Sequence, residues 1–399
     1  MSTPRNPDQL SDADAGSGRG AGKGLRIALF SGNYNCVRDG ANRALNRLVR
    51  FLLDSGAEVR VYSPTTAEPA FEPAGDLVSA PSFAIPFRPE YRIATGLNAA
   101  LREDIRRFAP THVHLSAPDW LGTNAERFAR ELGVKVVISH HTNFESYLDY
   151  YRLGFLRGWL RKRLHHYHGN ADLILLPNRP IAEQFAAGGY DNLAIWSRGV
   201  DRSLFTPERR AEPWRSAAGY DPDEPVVLFF GRVVMEKGLA VFAAAIAELR
   251  RRGHKVRPLV VGDGPAAEWF RDRLGPAHFT GHLDGDALGR AVASADIFIN
   301  PSDTEAFGNT NLEAMAAGLA IVSADVPSAS ALIDDGVSGL LVSPRDPIAY
   351  ADAVEDLIRS PEKRRELASA AMAESGRYNW DEVLGVVLKA YRDIGSPCD

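Results

Sequence analysis

The sequence predicts an α/β protein made of two parallel-sheet domains. Three observations point there: apolar runs of strand length alternate with helical stretches, the alternation occurs in two separate series, and 399 residues exceed what one ordinary core holds. The first series runs through Leu25 to Phe30, a helix from about Gly40 to Ser55, Glu58 to Tyr62, Thr111 to Leu115, Lys135 to Ser139 and Ala171 to Leu176. The second runs through Pro225 to Phe230, Pro258 to Val261, Ala295 to Asn300, Ala320 to Ser323 and Gly339 to Val342. Short buried strands joined through helices read as sheets covered on both faces. Between the series, Trp196 to Asp223 is rich in Arg, Pro and Gly and lacks periodicity, so it reads as the interdomain connection.

These boundaries give an N-terminal domain over 25–197, a C-terminal domain over 198–379, and a last helix within 380–399 that is free by sequence to pack on either domain, the N-terminal one included. Residues 1–24 are mostly Gly, Ser, Asp and Pro and read as a disordered tail. Within it, Gly20-Ala21-Gly22-Lys23-Gly24 has the glycines and lysine of a phosphate loop but neither the preceding strand nor the following Ser or Thr, so it reads as tail.

Composition narrows the function classes. No apolar run approaches the roughly 20 residues of a membrane-spanning helix, and the start lacks a charged-then-apolar secretory signal, so the cytoplasm is the expected location. Cys36 and Cys398 alone make neither a disulfide framework nor a cysteine metal site. A net charge of −5 argues against a general nucleic-acid binder, so any anion site is local.

Open parallel sheets bind ligands outside the carboxyl ends of their strands, so chemistry belongs just after strands, and two such domains facing one another would leave a cleft. The strongest signal follows the strand ending at Pro301: Ser302-Asp-Thr-Glu-Ala-Phe-Gly-Asn-Thr-Asn-Leu-Glu-Ala-Met-Ala-Ala-Gly318. Glu305 sits in the turn, Gly308 opens a helix, Glu313 lies inside it and Gly318 ends it. A helix start presents unpaired N–H groups and a positive dipole end, which suits a diphosphate. A carboxylate ahead of the turn can accept hydrogen bonds from sugar hydroxyls, and one two turns on can hold a ribose.

This run resembles the Glu-x7-Glu signature of retaining glycosyltransferases of the GT-B architecture, with two facing Rossmann-like domains, the large family 4 type that includes bacterial α-mannosyltransferases. Phe230-Gly-Arg-Val-Val-Met-Glu-Lys-Gly238 is similar to that family's strand-end loop, and Arg232 and Lys237 match its diphosphate-contacting Arg and Lys. Val261-Gly-Asp-Gly-Pro265, Gly336-Val-Ser-Gly-Leu-Leu341 and Arg198-Gly-Val-Asp201 are family-like too, although Arg198 stands where the family more often has Asn. The resemblance extends from Leu25 to about Ile358.

The resemblance implies a donor site of Gly262, Leu283, Asp284, Phe307, Gly308, Asn309, Thr310 and Glu313, with catalytic work by Arg232, Lys237, Glu305 and His141. Negative charge grows on the departing diphosphate, and two positioned cations can stabilise it in place of a metal, so no metal or other cofactor is expected. Gly40 matches the family's glycine against the diphosphate, with an ordinary turn glycine as the other reading. In Ser139-His-His-Thr142, His141 and Thr142 match the family's His-Thr pair, with His141 beside the reacting sugar and His140 turned elsewhere.

Two patterns look like metal sites and are read otherwise. Asp284-Gly-Asp286 has Asp-x-Asp spacing but precedes a helical stretch that Asp286 would cap, and by resemblance its loop lies near the nucleotide base. His165-His166-x-His168 lacks a carboxylate or Cys and reads as a solvated helix end. The stretch 150–164 places Leu153, Leu156, Leu160 and Leu164 at helical spacing beside Trp159 and a basic flank of Arg157, Arg161, Lys162 and Arg163. It fits an interfacial helix on the inner face of an anionic membrane, and equally a helix burying its Leu stripe in the core.

The implied function is transfer of a hexose from a nucleotide-diphosphate sugar to a membrane lipid or glycan. GDP-mannose is the first expectation for the donor, and UDP-glucose and UDP-glucuronate users share most of the motif. A nucleotide-sugar epimerase and an inactive nucleotide-sugar-binding subunit remain as rivals.

Overall fold

The computed structural model describes residues 20–37, 40–85, 88–140, 157–222 and 224–395; for 88–90, 157 and 159–161 the backbone alone is described. The chain divides into two compact units, Met1–Arg198 with Trp380–Asp399, and Gly199–Asn379.

The first unit is built on seven parallel strands: β1 (Arg26–Phe30), β2 (Glu58–Ser63), β3 (Asp76–Ser79), β6 (His112–Leu115), β7 (Lys135–Ser139), β8 (Leu173–Leu176) and β9 (Leu193–Ile195), in the order β3-β2-β1-β6-β7-β8-β9. A separate antiparallel hairpin joins β4 (Ser82–Ile85) to β5 (Arg88–Ala94). The sheet's central strands β1, β6, β7 and β8 bury nearly every side chain because both faces are covered. The helix Gly40–Asp54 lays Leu45, Leu48, Val49 and Leu52, at helical spacing, against one face. Leu101, Ile105, Leu121 and Phe128 of the helices Ala99–Phe108 and Trp120–Glu131 cover the other.

The last helix, Trp380–Gly395, shares the Gly40–Asp54 face and buries Val383, Leu384, Val387, Leu388 and Tyr391 in the same cluster. Its polar anchor is His114 on β6, fully buried, whose Nδ1 meets the Tyr391 hydroxyl and whose Nε2 meets Ser139 Oγ at 2.8 Å. A neutral imidazole can donate from one nitrogen and accept at the other, which satisfies both hydroxyls.

Two sequence expectations change here. Gly20 to Gly24 is a turn rather than the end of a tail: the N–H groups of Gly20 and Gly22 donate to the Ser55 carbonyl at 3.2 and 2.7 Å, and Ala21 packs on the core. Residues 1–19 lie outside the described residues. His168 is buried rather than solvated, its ring 5.7 Å from that of His140 and 5.1 Å from that of Phe185, while His165 and His166 are exposed.

The second unit holds six parallel strands: β10 (Val227–Phe230), β11 (Leu259–Val261), β12 (His278–Gly281), β13 (Ile297–Asn300), β14 (Ala320–Ala324) and β15 (Leu340–Val342), ordered β12-β11-β10-β13-β14-β15. The segment read as a connector belongs to this unit from Gly199 onward. It contains the helix Glu212–Ala217, and Val200, Phe205 and Tyr220 are buried in the core. Its polar composition hid this because Arg215, 2% exposed, is buried with its charge met by Asp296 at 2.9 Å and by the carbonyls of Ser294 and Glu224.

Burial pushes the His114 imidazole down to about 3 and those of His140 and His168 down to about 4. These histidines stay neutral in the folded chain and take up protons in the unfolded chain below about pH 6.5, so their share of stability is complete above that pH and is lost as pH falls toward 4. Removing one titrating ring by His168→Phe should flatten the acid slope of unfolding free energy by about 1.4 kcal/mol per pH unit. Urea denaturation from pH 7 to 4.5 measures it, and an unchanged slope would contradict the neutral assignment.

Candidate active site

In the second unit the chain leaves β10 toward β11 and β12 on one side and returns to β13 on the other, so the strand order reverses between β10 and β13. A crevice opens at such a point outside the carboxyl ends of the strands. The two loops that leave these ends are Gly231 to Gly238 and Pro301 to Gly308.

Glycine brings the loops together. A Cβ at Gly238, where φ is +72°, would stand 2.6 Å from the Pro301 carbonyl oxygen, and one at Gly262, φ +137°, only 1.9 Å from that of Gly231. Gly231 in turn lies beside Thr310, and the Gly262 N–H donates to the Gly281 carbonyl at 3.0 Å. The ends of β10, β11 and β12 and the start of the helix Asn309–Ala316 therefore form one continuous patch of backbone.

Onto this patch a 3₁₀ turn, Met235–Lys237, delivers Lys237, whose Nζ lies 2.7 Å from Glu305 Oε1. Both side chains are largely shielded, at 27% and 12% exposure, which strengthens their attraction. Arg232 is exposed and makes no ion pair among the described residues. Gly308, at φ +90°, is the N-cap of the helix Asn309–Ala316 and, having no side chain, supplies no capping bond to its first-turn N–H groups. A lysine, a carboxylate and a helix start thus meet in one place, with Arg232 exposed on the same loop as the lysine, an arrangement that can hold a polyanion bearing hydroxyl groups.

The remaining predicted residues fall into several groups. Phe307 is buried, edge-on to Tyr378 at 6.0 Å, and anchors the loop through the core. Glu313 is half-buried on the helix, as are Asn309 and Thr310. Leu283 is half-buried and Asp284 exposed. Asp284, not Asp286, occupies the N-cap of the helix Gly285–Ala293; Asp286 lies in the first turn and pairs with Arg209 at 2.8 Å. Gly40 begins its helix in the first unit and is exposed, while His141 and Thr142 lie outside the described residues, as do 150–156. Among the described residues no group of three or more His, Cys, Asp or Glu side chains is arranged to hold a metal ion. A cavity of about 380 Å³ lies at the outer edge of β12, bounded by Trp214, His278, Leu283 and Arg290, two strands away from β10.

Sequence reasoning missed a buried polar set beneath the Glu305 loop: Asn300, Asn311 and Ser323. Its one signal was an Asn at each end of the loop, on a strand and a helix otherwise apolar at those positions.

Residues 224–360 match the model of glycosyl transferases group 1, and residues 38–204 that of glycosyltransferase family 4. A sulfoquinovosyl transferase of Arabidopsis thaliana is 30% identical over 369 residues, covering 90% of this chain and 71% of the relative. A GDP-mannose-dependent alpha-mannosyltransferase of Mycolicibacterium smegmatis is 30% identical over 381 residues, covering 93% of this chain and 98% of the relative. The chain belongs to the group 1 and family 4 glycosyltransferases. It is a hexosyltransferase, and its two parallel-sheet units are those of the GT-B fold. HepE of Anabaena, solved in complex with UDP, shares that fold with a TM-score of 0.72 over 92% of this chain and 100% of its own, at 18% identity.

Gly262→Ala should cost this glycosyltransferase about 3 kcal/mol or more, since the methyl would combine a clash with the Gly231 carbonyl and a backbone conformation foreign to L-residues. Gly281→Ala, at φ +71° with open space around it, should cost only about 1 kcal/mol. Chemical denaturation of the two variants measures both, and equal costs would contradict the packing of Gly231 on Gly262.

Proposed function

We propose that the chain transfers mannose, with retention, from GDP-mannose to a membrane lipid or glycan acceptor without a metal ion. The observation that carries this reading is the Lys237–Glu305 pair beside the uncapped helix start at Gly308. In the reaction the bond from the sugar's anomeric carbon to the diphosphate breaks and one to the acceptor hydroxyl forms. The acceptor's proton passes to the leaving phosphate. Arg232, Lys237 and the first-turn N–H groups of the helix stabilise the charge growing on that phosphate. Glu305 accepts from sugar hydroxyls, Glu313 holds the ribose, and the loop at Leu283 and Asp284 takes the base. Gly40 and His141 enter on family likeness, and His141 lies outside the described residues.

The mannosyltransferase relative supports GDP-mannose, and the sulfoquinovosyl transferase relative and the UDP-bound neighbour in the same fold keep a UDP-sugar as the second reading. Among GDP, UDP and ADP at equal concentration, GDP should raise the melting temperature most, by the equivalent of about 2.7 kcal/mol at a hundred times its Kd. A larger shift with UDP would reassign the donor. Lys237→Ala should fold and lose about 10²- to 10³-fold in kcat. Near-normal turnover would refute the role given to this residue.

The acceptor reading includes a peripheral contact with anionic membrane through 150–164. Among the described residues no helix is long and apolar enough to cross a membrane. The helix Arg157–His168 carries exposed Lys162 and the half-buried Arg163, whose guanidinium lies 3.4 Å from Thr123 Oγ1. Trp120, on the first turn of that neighbouring helix, is 57% exposed, as befits an interfacial aromatic residue. Sedimentation with phosphatidylglycerol vesicles should capture the chain, and Lys162→Glu/Arg163→Glu should weaken capture by about 1 kcal/mol per residue, while neutral vesicles capture neither. Equal binding to both vesicle types would favour a helix that serves the core alone.

A further inference from the structure

We propose that Asn300 and Asn311 are positioning residues that staple shut the two ends of the loop carrying Glu305, and so set the affinity for the donor's nucleotide; the affinity clause rests on the donor site proposed above.

The loop from Pro301 to Gly308 leaves the end of β13 and returns as the helix Asn309–Ala316. Across its base, Asn300 Nδ2 donates to Asn311 Oδ1 at 2.9 Å. The other half of the Asn300 amide holds the loop's first turn, its Oδ1 accepting from the Ser302 N–H at 3.2 Å. Asn311 Nδ2 donates to Ser323 Oγ on β14 at 3.1 Å, and that hydroxyl reaches the Asn300 carbonyl at 3.5 Å. The three side chains form a closed ring joining the carboxyl ends of two adjacent strands to the third residue of the donor helix.

The three are 6%, 1% and 1% exposed, each next to apolar neighbours. Burying amides and a hydroxyl costs free energy unless every group is paired, and aliphatic side chains would pack such positions without that requirement. What a ring of directional bonds supplies and aliphatic packing does not is a fixed relation between the loop's two ends. The loop's other ties each hold a single point: Pro301 packs against Gly238, and Lys237 holds Glu305. Phe307 anchors one point through the core, and the Asp303–Arg345 pair involves an arginine that is 80% exposed, a kind of pair worth little. Asn311 also packs directly under Gly308, its Nδ2 3.3 Å from where a Cβ there would stand, so the same side chain supports the helix start and the Glu305 loop.

The test compares two deletions in one ring. Asn311→Leu removes the staple; Ser323→Ala leaves it and removes only the contact with β14. Both should lower the melting temperature, because each strands a buried amide group. Only Asn311→Leu should weaken nucleotide binding, by about tenfold to a hundredfold in titration calorimetry with GDP and with UDP, and speed amide exchange across 301–312. Ser323→Ala should stay within about twofold of the parent in both readouts. Equal loss of affinity in the two variants, or no loss in Asn311→Leu, would overturn the proposal. Should the parent chain bind neither nucleotide, the donor reading and the affinity clause fall together, and amide exchange alone decides whether the staple orders the loop.

Discussion

Lys237 and Glu305 are 68 residues apart in sequence, and their 2.7 Å contact depends on two backbones approaching more closely than any side chain allows. The loop after β10 touches the loop after β13 at Gly238 and Pro301, and the loops after β10 and β11 touch at Gly231 and Gly262. At these two crossings a Cβ would stand 2.6 and 1.9 Å from a carbonyl oxygen, so the loops approach this closely only because one of each pair lacks a Cβ. The glycines relieve the collision, and the charged side chains use the space so gained. Remove the close approach and the cation no longer reaches the carboxylate.

The first unit solves a different problem. Its sheet needs a second helix on the face covered by Gly40–Asp54, and the chain supplies it from its last residues after completing the other unit. A helix arriving so late in the chain needs a marker for its register, and Tyr391 meeting His114 is such a marker, a polar contact inside a largely apolar interface. The buried imidazole makes the docking sensitive to acid, because a protonated ring can no longer accept from either hydroxyl.

Much of this was legible in the sequence, and the parts that were not share a cause. Central strands such as Lys135–Ser139 were readable because both faces are buried and the apolar run is unbroken. The edge strands β3, β9 and β12 have only three or four residues, too short to show a period, and β3 and β12 mix polar with apolar side chains. The segment around Arg215 read as a connection because the partner that lets Arg215 be buried, Asp296, lies 81 positions away. The site follows the same rule: Lys237, Glu305 and Gly308 sit in local motifs and could be named, whereas the Asn300–Asn311–Ser323 ring exists only once β13, β14 and the helix are assembled. Local chemistry can be read from spacing, but pairing across a fold cannot.

The salt bridge also bears on how a glycosyltransferase separates charge. Paired with Glu305, Lys237 adds little net charge, so under the proposed donor assignment it would attract a diphosphate less than an isolated ammonium would, leaving more of the ground-state attraction to Arg232 and the helix start. In the transition state the anomeric carbon becomes cationic while the leaving oxygen becomes anionic. Under the proposed assignment the ammonium faces the phosphate and the carboxylate faces the sugar, so the pair is a fixed dipole opposed to the dipole that develops. An ammonium has three N–H donors, and Glu305 needs only one of them. Such a pair binds the ground state weakly and the separated charges strongly, which is the difference that accelerates a reaction rather than merely tightening a complex.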